Sequence, residues 1–406
     1  MNRSDFLNHE WQSYLPMPKH SLVYGAVQEI TRESSFVALK INEQIFRLDL
    51  SSQKKRDLQF CDLNDLVVID HEKQLSLLAP SLAKPIANFN LARQKKWNTF
   101  IKKVRHFFED QNFIEVQTPS LVVCPGPEPT LEVFATELQW GSRRKKLFLP
   151  TSPELSLKKY LAHAVREQAE LKIFEIAKVF RNGEITERHH PEFFMLEWYR
   201  SFQGLEVIVD DLTQLIGSLS GRADLNVQRK SLRELFLEIL DFPLTPATTA
   251  DDLKNLCKKI GLETRSIDQF DDLFNLVFIE KIEFQWPKEE LFFLEKYPPS
   301  QAALARVDKD GWAERFELYW QGFELANAFH ELNDPVIQGE RMAHDLELKK
   351  VYGRQEIFAD DQFIQSLEYG MPPTSGVALG LERLFMALED IKNIALLKFP
   401  IDMTSN

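Results

Sequence analysis

Hydrophobic and polar positions follow three regimes along the chain. Between residues 20 and 80, SLVYGAVQEI, SFVALKI, EQIFRLDL and DLVVIDHEKQLSLLAP form short alternating or apolar runs separated by polar turns, the pattern of β-strands. They predict a small β-rich, barrel-like domain over residues 1–85, of a size that suits an oligonucleotide/oligosaccharide-binding barrel. LAKPIAN (82–88) reads as a linker. The period then changes: Trp97, Phe100, Ile101, Val104, Phe107 and Phe108 recur three or four residues apart and predict a helix with one apolar face. That helix runs into FIEVQTPSL, a strand signal stopped at Pro119.

Longer strands follow. KLFLP (146–150), LKIFEIAKVF (171–180), EFFMLEWYR (192–200), LFFLEKY (291–297) and ERFELYWQGFELANAFHEL (314–332) predict a large sheet. ELSLKKYLAHAV, residues 205–219 and residues 336–352 predict helices between them. Strands and helices do not alternate as βαβ units, so the expectation is an α+β fold. An antiparallel or mixed sheet flanked by helices would occupy residues 86–406, with a helical insertion at about 203–285. No internal repeat or low-complexity segment interrupts this pattern.

Composition narrows the function. A chain of 406 residues with 44% hydrophobic content exceeds one comfortable core. Its formal charge of −12 argues against a nucleic-acid binder, which needs a basic surface, and suits a cationic substrate or partner. The basic runs Lys54-Lys55-Arg56 and Arg143-Arg144-Lys145-Lys146 read as solvated loops. Cys61, Cys124 and Cys257 are too few and too scattered for a disulfide framework or a zinc site. No apolar run spans a membrane and MNRSDFLNHEWQ is no signal peptide, so a cytoplasmic, membrane-free protein is expected.

Neither GxxxxGK[ST] nor a strand-linked GxGxxG occurs, so any nucleotide must be held by side chains. FRNGEITERHHPEFFMLEWYR (180–200) offers the means: Arg181 can bond a phosphate and Phe193 can stack on a base.

This hairpin, the helix and strand ending at Pro119, and GVALGLERL (376–384) together resemble the three signature motifs of class II aminoacyl-tRNA synthetases, in order, across residues 93–396. TSPELSLKKYL, HPEFFMLEWY and GFELANAFHEL followed by NDP resemble the lysine-specific branch. The resemblance implies ATP as substrate and Mg²⁺ as companion ion. It implies that Glu154 and Glu331 receive the two ammonium groups of a diamino acid, that Tyr199 closes the side-chain end, and that Asn327 and Arg181 hold the carboxylate. Glu317 and Glu324 would bind magnesium. Phe193 would sandwich adenine opposite Arg383, with Asn182, Gly183, Glu184, Leu325 and Gly380 around the nucleotide and His189 or His190 at the outer phosphates. Arg181, Arg383 and Glu324 would carry the catalysis, and Ser152 and Pro153 would flank the amino acid.

Two departures separate the chain from lysyl-tRNA synthetases. Residues 1–90 are short and nearly charge-balanced, unlike a basic anticodon-binding domain. Ser152 and Ala378 stand where those synthetases typically have alanine and glycine. Both changes, with YPPSQAALA (297–305), resemble the paralogous family that modifies elongation factor P. That resemblance implies activation of (R)-β-lysine or lysine as an adenylate and transfer to a lysine of elongation factor P by a homodimer, the apolar face beginning at Trp97 contributing to the contact. The alternatives are a truncated lysyl-tRNA synthetase that charges tRNA and a nucleotide-binding pseudo-enzyme. Residues 1–90 would grip the protein acceptor or serve as a packing module. Gly183 displaces the usual hairpin glutamate by one position, so either Glu184 or backbone groups would read adenine.

Overall fold

Strand alternation places most of the interior side chains in the computed structural model, which describes residues 21–33, 36–49, 61–70, 75–79 and 90–398 apart from 223, 265, 266 and 284. The chain divides into two units, residues 1–88 and 89–406. In the first, β1 (Ser21–Arg32), β2 (Phe36–Ile41), β3 (Gln44–Asp49), β4 (Leu66–Asp70) and β5 (Leu75–Ala79) form an antiparallel sheet in the order β3-β2-β1-β4-β5. Val37, Leu39 and Ile41 alternate inward along β2 and meet Val27, Leu48, Val67 and Ile69. The 82–88 linker and the Lys54–Arg56 run lie outside the described residues.

The second unit opens with α1 (Leu91–Asp110), capped by the Asn90 side chain, which accepts from Arg93 N at 3.0 Å. After β6 (Ile114–Glu115) comes the hairpin of β7 (Ala135–Trp140) and β8 (Arg143–Phe148), then α2 (Glu154–Ala164), β9 (Lys172–Phe180) and β10 (Glu192–Ser201). Next are α3 (Leu205–Ser220), β11 (Val227–Ser231), α4 (Leu232–Leu240), α5 (Ala250–Lys259) and α6 (Phe270–Val277). The chain continues through β12 (Leu291–Tyr297), β13 (Ala313–Trp320), β14 (Phe323–His330), α7 (Pro335–Val351), α8 (Asp361–Gly370), β15 (Thr374–Gly380) and α9 (Leu381–Leu388). Eight strands make one mixed sheet in the order β11-β12-β13-β14-β15-β10-β9-β6, antiparallel except at its two edges.

The two faces of this sheet have different tasks. Leu196 and Trp198 on β10, Val377 and Leu379 on β15, Ala326 and Ala328 on β14, and Phe316 and Leu318 on β13 point to a core shared with α1, α3 and α9. The intervening residues, Glu197, Ala378, Asn327 and Glu317, are cross-strand partners and therefore share the opposite face.

Four sequence expectations are corrected here. FIEVQTPSL supplies a strand only at Ile114–Glu115, because beyond it the chain is held by isolated bonds such as Val116 N to Phe174 O at 2.9 Å. Arg143-Arg144-Lys145-Lys146 is not a loop but the exposed strand β8, paired with a strand the alternation did not announce. Residues 203–285 are not a purely helical insertion, since β11 is the parallel edge strand of the main sheet and α3 belongs to the main core. The apolar face of α1 is occupied within the chain: Trp97 lies 5.3 Å from Phe385 and 6.1 Å from Phe194, and Phe100, Val104 and Phe108 are buried in the main core.

One polar contact pins α3 to the sheet. Asp211 accepts from Arg200 Nη2 at 2.6 Å, from Arg200 Nε at 2.7 Å and from Trp198 Nε1 at 3.0 Å, all buried. Asp211→Ala leaves a buried guanidinium unpaired, so it should destabilise this unit by about 3–5 kcal/mol in urea unfolding, more than any exposed α3 substitution.

Candidate active site

The polar face of the sheet forms the floor of a cavity of about 660 Å³. Its lining includes Ser152, Glu154, Arg181, Glu184, His189, His190, Phe193, Glu324, Leu325, Asn327, Ala378, Gly380 and Arg383. Three sequence motifs deliver these residues. The β9–β10 hairpin brings the arginine, the histidines and Phe193; β14 brings Glu324 and Asn327; β15 and the first turn of α9 bring Ala378, Gly380 and Arg383.

At the cationic end the loop 181–191 is closed at its base by one backbone hydrogen bond and tied to the segment at Glu132 by another. Arg181 N donates to Pro191 O at 2.9 Å and Asn182 N to Glu132 O at 3.0 Å. Gly183 turns the chain at φ +79°, a conformation that favours glycine. Arg181 lies 5.3 Å over the Phe193 ring, and its buried Nε has no hydrogen-bond partner. Arg383 donates to Glu324 O at 2.9 Å and to His189 Nε2 at 2.6 Å. An arginine can only donate, so His189 Nε2 is unprotonated and its Nδ1–H turns to Thr186 Oγ1 at 2.9 Å. Burial, with Arg383 next, lowers the His189 pKa and keeps the ring neutral.

At the other end carboxylates collect. Glu154 opens α2 and reaches Lys158, one turn on, at 2.6 Å; the same Lys158 Nζ lies 2.5 Å from Glu331. Lys158 is completely buried. Burial opposes its charge, but Glu154 and Glu331 outweigh it and raise its pKa, so it stays an ammonium. Glu197 lies beside them, 1% exposed, and accepts from Tyr199 OH at 3.1 Å while its other oxygen has no partner. Burial first, then Glu154, raises the Glu197 carboxyl well above the usual range. Burial also raises Glu331, to about 8, against the pull of Lys158. Three carboxylates thus face one resident ammonium.

Six expected residues lie off the cavity wall: Pro153, Asn182, Gly183, Tyr199, Glu317 and Glu331. Pro153 caps α2 and so sets the direction of Glu154. Tyr199 and Glu331 form a buried layer behind the carboxylates rather than a lid. Gly376 makes that layer possible, since a Cβ there would stand 2.3 Å from the Tyr199 ring and 2.8 Å from Glu331 Oε1. Glu317 has one oxygen on Arg315 at 2.5 Å and the other on Tyr319 OH at 2.7 Å, so each of its oxygens is already engaged once. Glu324, 39% exposed and only 3.3 Å from Arg383, keeps an open side and fits a magnesium ligand. Among the described residues no group of three or more ligating side chains forms a ready metal cage.

Sequence reasoning missed Glu197, Lys158 and Arg315. Glu197 had a signal: in EFFMLEWYR it shares the odd-numbered face with Phe193, Met195 and Tyr199, where a charged residue among apolar ones marks a buried polar site. Lys158, four residues after Glu154, also lay within reach of pattern reading as an i,i+4 pair.

Residues 87–402 match the family model for class II tRNA synthetases (D, K and N). The chain is 36% identical over 310 residues to an elongation factor P–(R)-β-lysine ligase of Haemophilus influenzae, covering 74% of this chain and 93% of that protein. The ligases of the same name from Hamiltonella defensa and Buchnera aphidicola are each 34% identical, over 74% and 76% of this chain and 93% and 94% of theirs. With this match and these three motifs around one cavity, the chain belongs to the class II tRNA synthetase (D, K and N) family, on the branch of the elongation factor P–(R)-β-lysine ligases.

Proposed function

We propose that this chain activates (R)-β-lysine, or lysine, with ATP and transfers it to a lysine ε-amine of elongation factor P. The observation that carries the reading is the cluster of Glu154, Glu197 and Glu331 around a single Lys158, because these buried carboxyls outnumber the resident ammonium and can ionise fully only when a polycationic ligand joins them. The relatives' shared name supports the same substrate and acceptor.

In the first step a substrate carboxylate oxygen attacks the α-phosphorus of ATP, an O–P bond forms and pyrophosphate leaves. Arg181 and Arg383 donate N–H bonds to the charge that builds on the phosphate oxygens. Phe193 offers a ring face to adenine and Glu184 a carboxylate at the cavity rim. Magnesium would neutralise phosphate charge, with Glu324 as the protein ligand. In the second step the deprotonated ε-amine attacks the activated carbonyl, the amide C–N bond forms and AMP leaves. The same reading includes a homodimer, a cytoplasmic setting and no role for tRNA, in keeping with the charge of −12.

Three outcomes test it. Given ATP, Mg²⁺, labelled lysine isomers, elongation factor P and tRNA together, the wild type should label the factor; label on tRNA instead would make the chain a tRNA synthetase. Glu197→Gln should raise the KM for the diamino acid by about 10- to 100-fold in ATP–pyrophosphate exchange, with the ATP KM nearly constant. The Glu331 carboxyl, raised to about 8 and set behind the cavity wall, adds its negative charge to the field that draws an ammonium only after losing its proton. The amino-acid KM should therefore fall as pH rises from about 6.5 to about 8.5, and Glu331→Gln should both cripple activation and flatten that dependence.

A further inference from the structure

The face of the sheet that holds Asn327 also holds an arginine with no role in the reaction described above. Arg315 and Phe329 are cross-strand partners on β13 and β14, and the guanidinium packs on two rings, 4.2 Å from Tyr297 and 5.5 Å from Phe329. Its edges are bound as well: Nη1 donates to Gln301 O at 2.6 Å, and Nη2 donates to Glu317 at 2.5 Å and to Asn327 Oδ1 at 3.2 Å. The residue is 7% exposed yet reaches the cavity. It is thus held by two rings and by both terminal nitrogens before any ligand arrives, with only Nε left without a partner.

We infer that Arg315 is a positioning residue that orients the Asn327 carboxamide for the substrate carboxylate. The inference rests on the proposed amino-acid activation, in which Asn327 meets that carboxylate. A guanidinium has only donors, so the atom of Asn327 turned to it must be the oxygen. The carboxamide is planar, so its NH₂ takes the other edge, where it makes no hydrogen bond to any described residue. Asn327 lines the cavity, and the group it presents there is a donor, the polarity a carboxylate requires. Without Arg315 the carboxamide is free to rotate by half a turn and offer its oxygen, which repels the same carboxylate. Tyr297 and Phe329 hold the arginine plane and so fix the orientation in advance of binding, when it costs the substrate nothing.

The bond to Glu317 gives the idea a competitor, because losing Arg315 also frees a buried carboxylate beside Glu324, at the magnesium and phosphate end. The two consequences separate in steady-state exchange kinetics. With (R)-β-lysine and lysine as substrates, Arg315→Met should raise the amino-acid KM by about tenfold and leave the ATP KM within about twofold. In an Asn327→Ala background the same substitution should add almost nothing, since the group it positions is gone. Arg315→Lys keeps a donor and should recover part of the loss; if Arg315→Met fails to fold, this variant carries the same two-background comparison. Equal and additive effects in both backgrounds, or an ATP KM that rises in step with the amino-acid KM, would overturn the assignment and leave Arg315 a support for Glu317 alone. A wild type that exchanges with neither lysine isomer would remove the amino acid itself, and with it both this role and the proposed activity.

Discussion

A carboxylate inside a protein must be paired, hydrogen-bonded or protonated, because an isolated buried charge is too costly to keep. This constraint organises the catalytic unit. Glu175, Glu197 and Glu317, with Asn327 and Ala378, occupy one row across five strands of the main sheet, and Glu154 and Glu331 lie near Glu197. Each acid has its own remedy. Glu175 accepts from Thr118 N at 3.0 Å, Glu317 is shared by Arg315 and Tyr319, and Lys158 is divided between Glu154 and Glu331. Glu197, like Glu175, keeps one oxygen unpartnered, but of the two only Glu197 lines the cavity. A carboxyl that is 1% exposed and only half satisfied can ionise when a cation joins it, and the cavity is where that cation can enter.

The sheet register makes the row possible, and small residues keep it open. Ala378 sits between Glu197 and Asn327, so the residue separating the anionic group from the carboxylate-binding group carries a single methyl. Two residues earlier on the same face, Gly376 lets the Tyr199 ring lie across the strand and hydrogen-bond Glu197. A larger side chain at Ala378 would intrude on the cavity, and one at Gly376 would displace the Tyr199 ring. The opposite face of the same strands, with Leu196, Trp198, Val377 and Leu379, has no such freedom and is close-packed against helices.

Much of this was legible from alternation alone. The strands at 172–180, 192–201, 291–297 and 313–330 and the helices at 154–164, 205–220 and 335–351 follow from period 2 and period 3.6 in long, clean runs. What escaped was local or long-range. Arg143 to Lys146 hides a strand because all four side chains face water, so no apolar alternation survives to announce it. Arg315 looks like any strand-surface cation until β14 brings Asn327 and Phe329 beside it, a contact no local pattern encodes. Trp97 shows the reverse error. Its apolar face was evident, but the sequence could not say that Phe194 and Phe385 from the same chain would cover it.

The cavity is polarised along its length, and that polarity is its main chemical statement. The hairpin and the first turn of α9 bring Arg181, Arg188, Arg383 and a neutral His189 to the cavity, together with Glu184 and with Glu324 of β14, while α2 and β10 bring Glu154 and Glu197 and β14 brings Asn327. A ligand that is cationic at one end, carboxylate in the middle and polyphosphate at the other matches this order group for group; reversing it would set like charges together throughout. The neutrality of His189 matters here, since its unprotonated Nε2 accepts from Arg383 and so fixes that guanidinium without competing for phosphate. The overall charge of −12 does not conflict with binding a nucleotide, because the cations that meet phosphate are concentrated around one partly enclosed cavity. Affinity for an anion is therefore set by where four cationic and imidazole groups converge, and affinity for the amines by where three carboxylates outnumber one lysine.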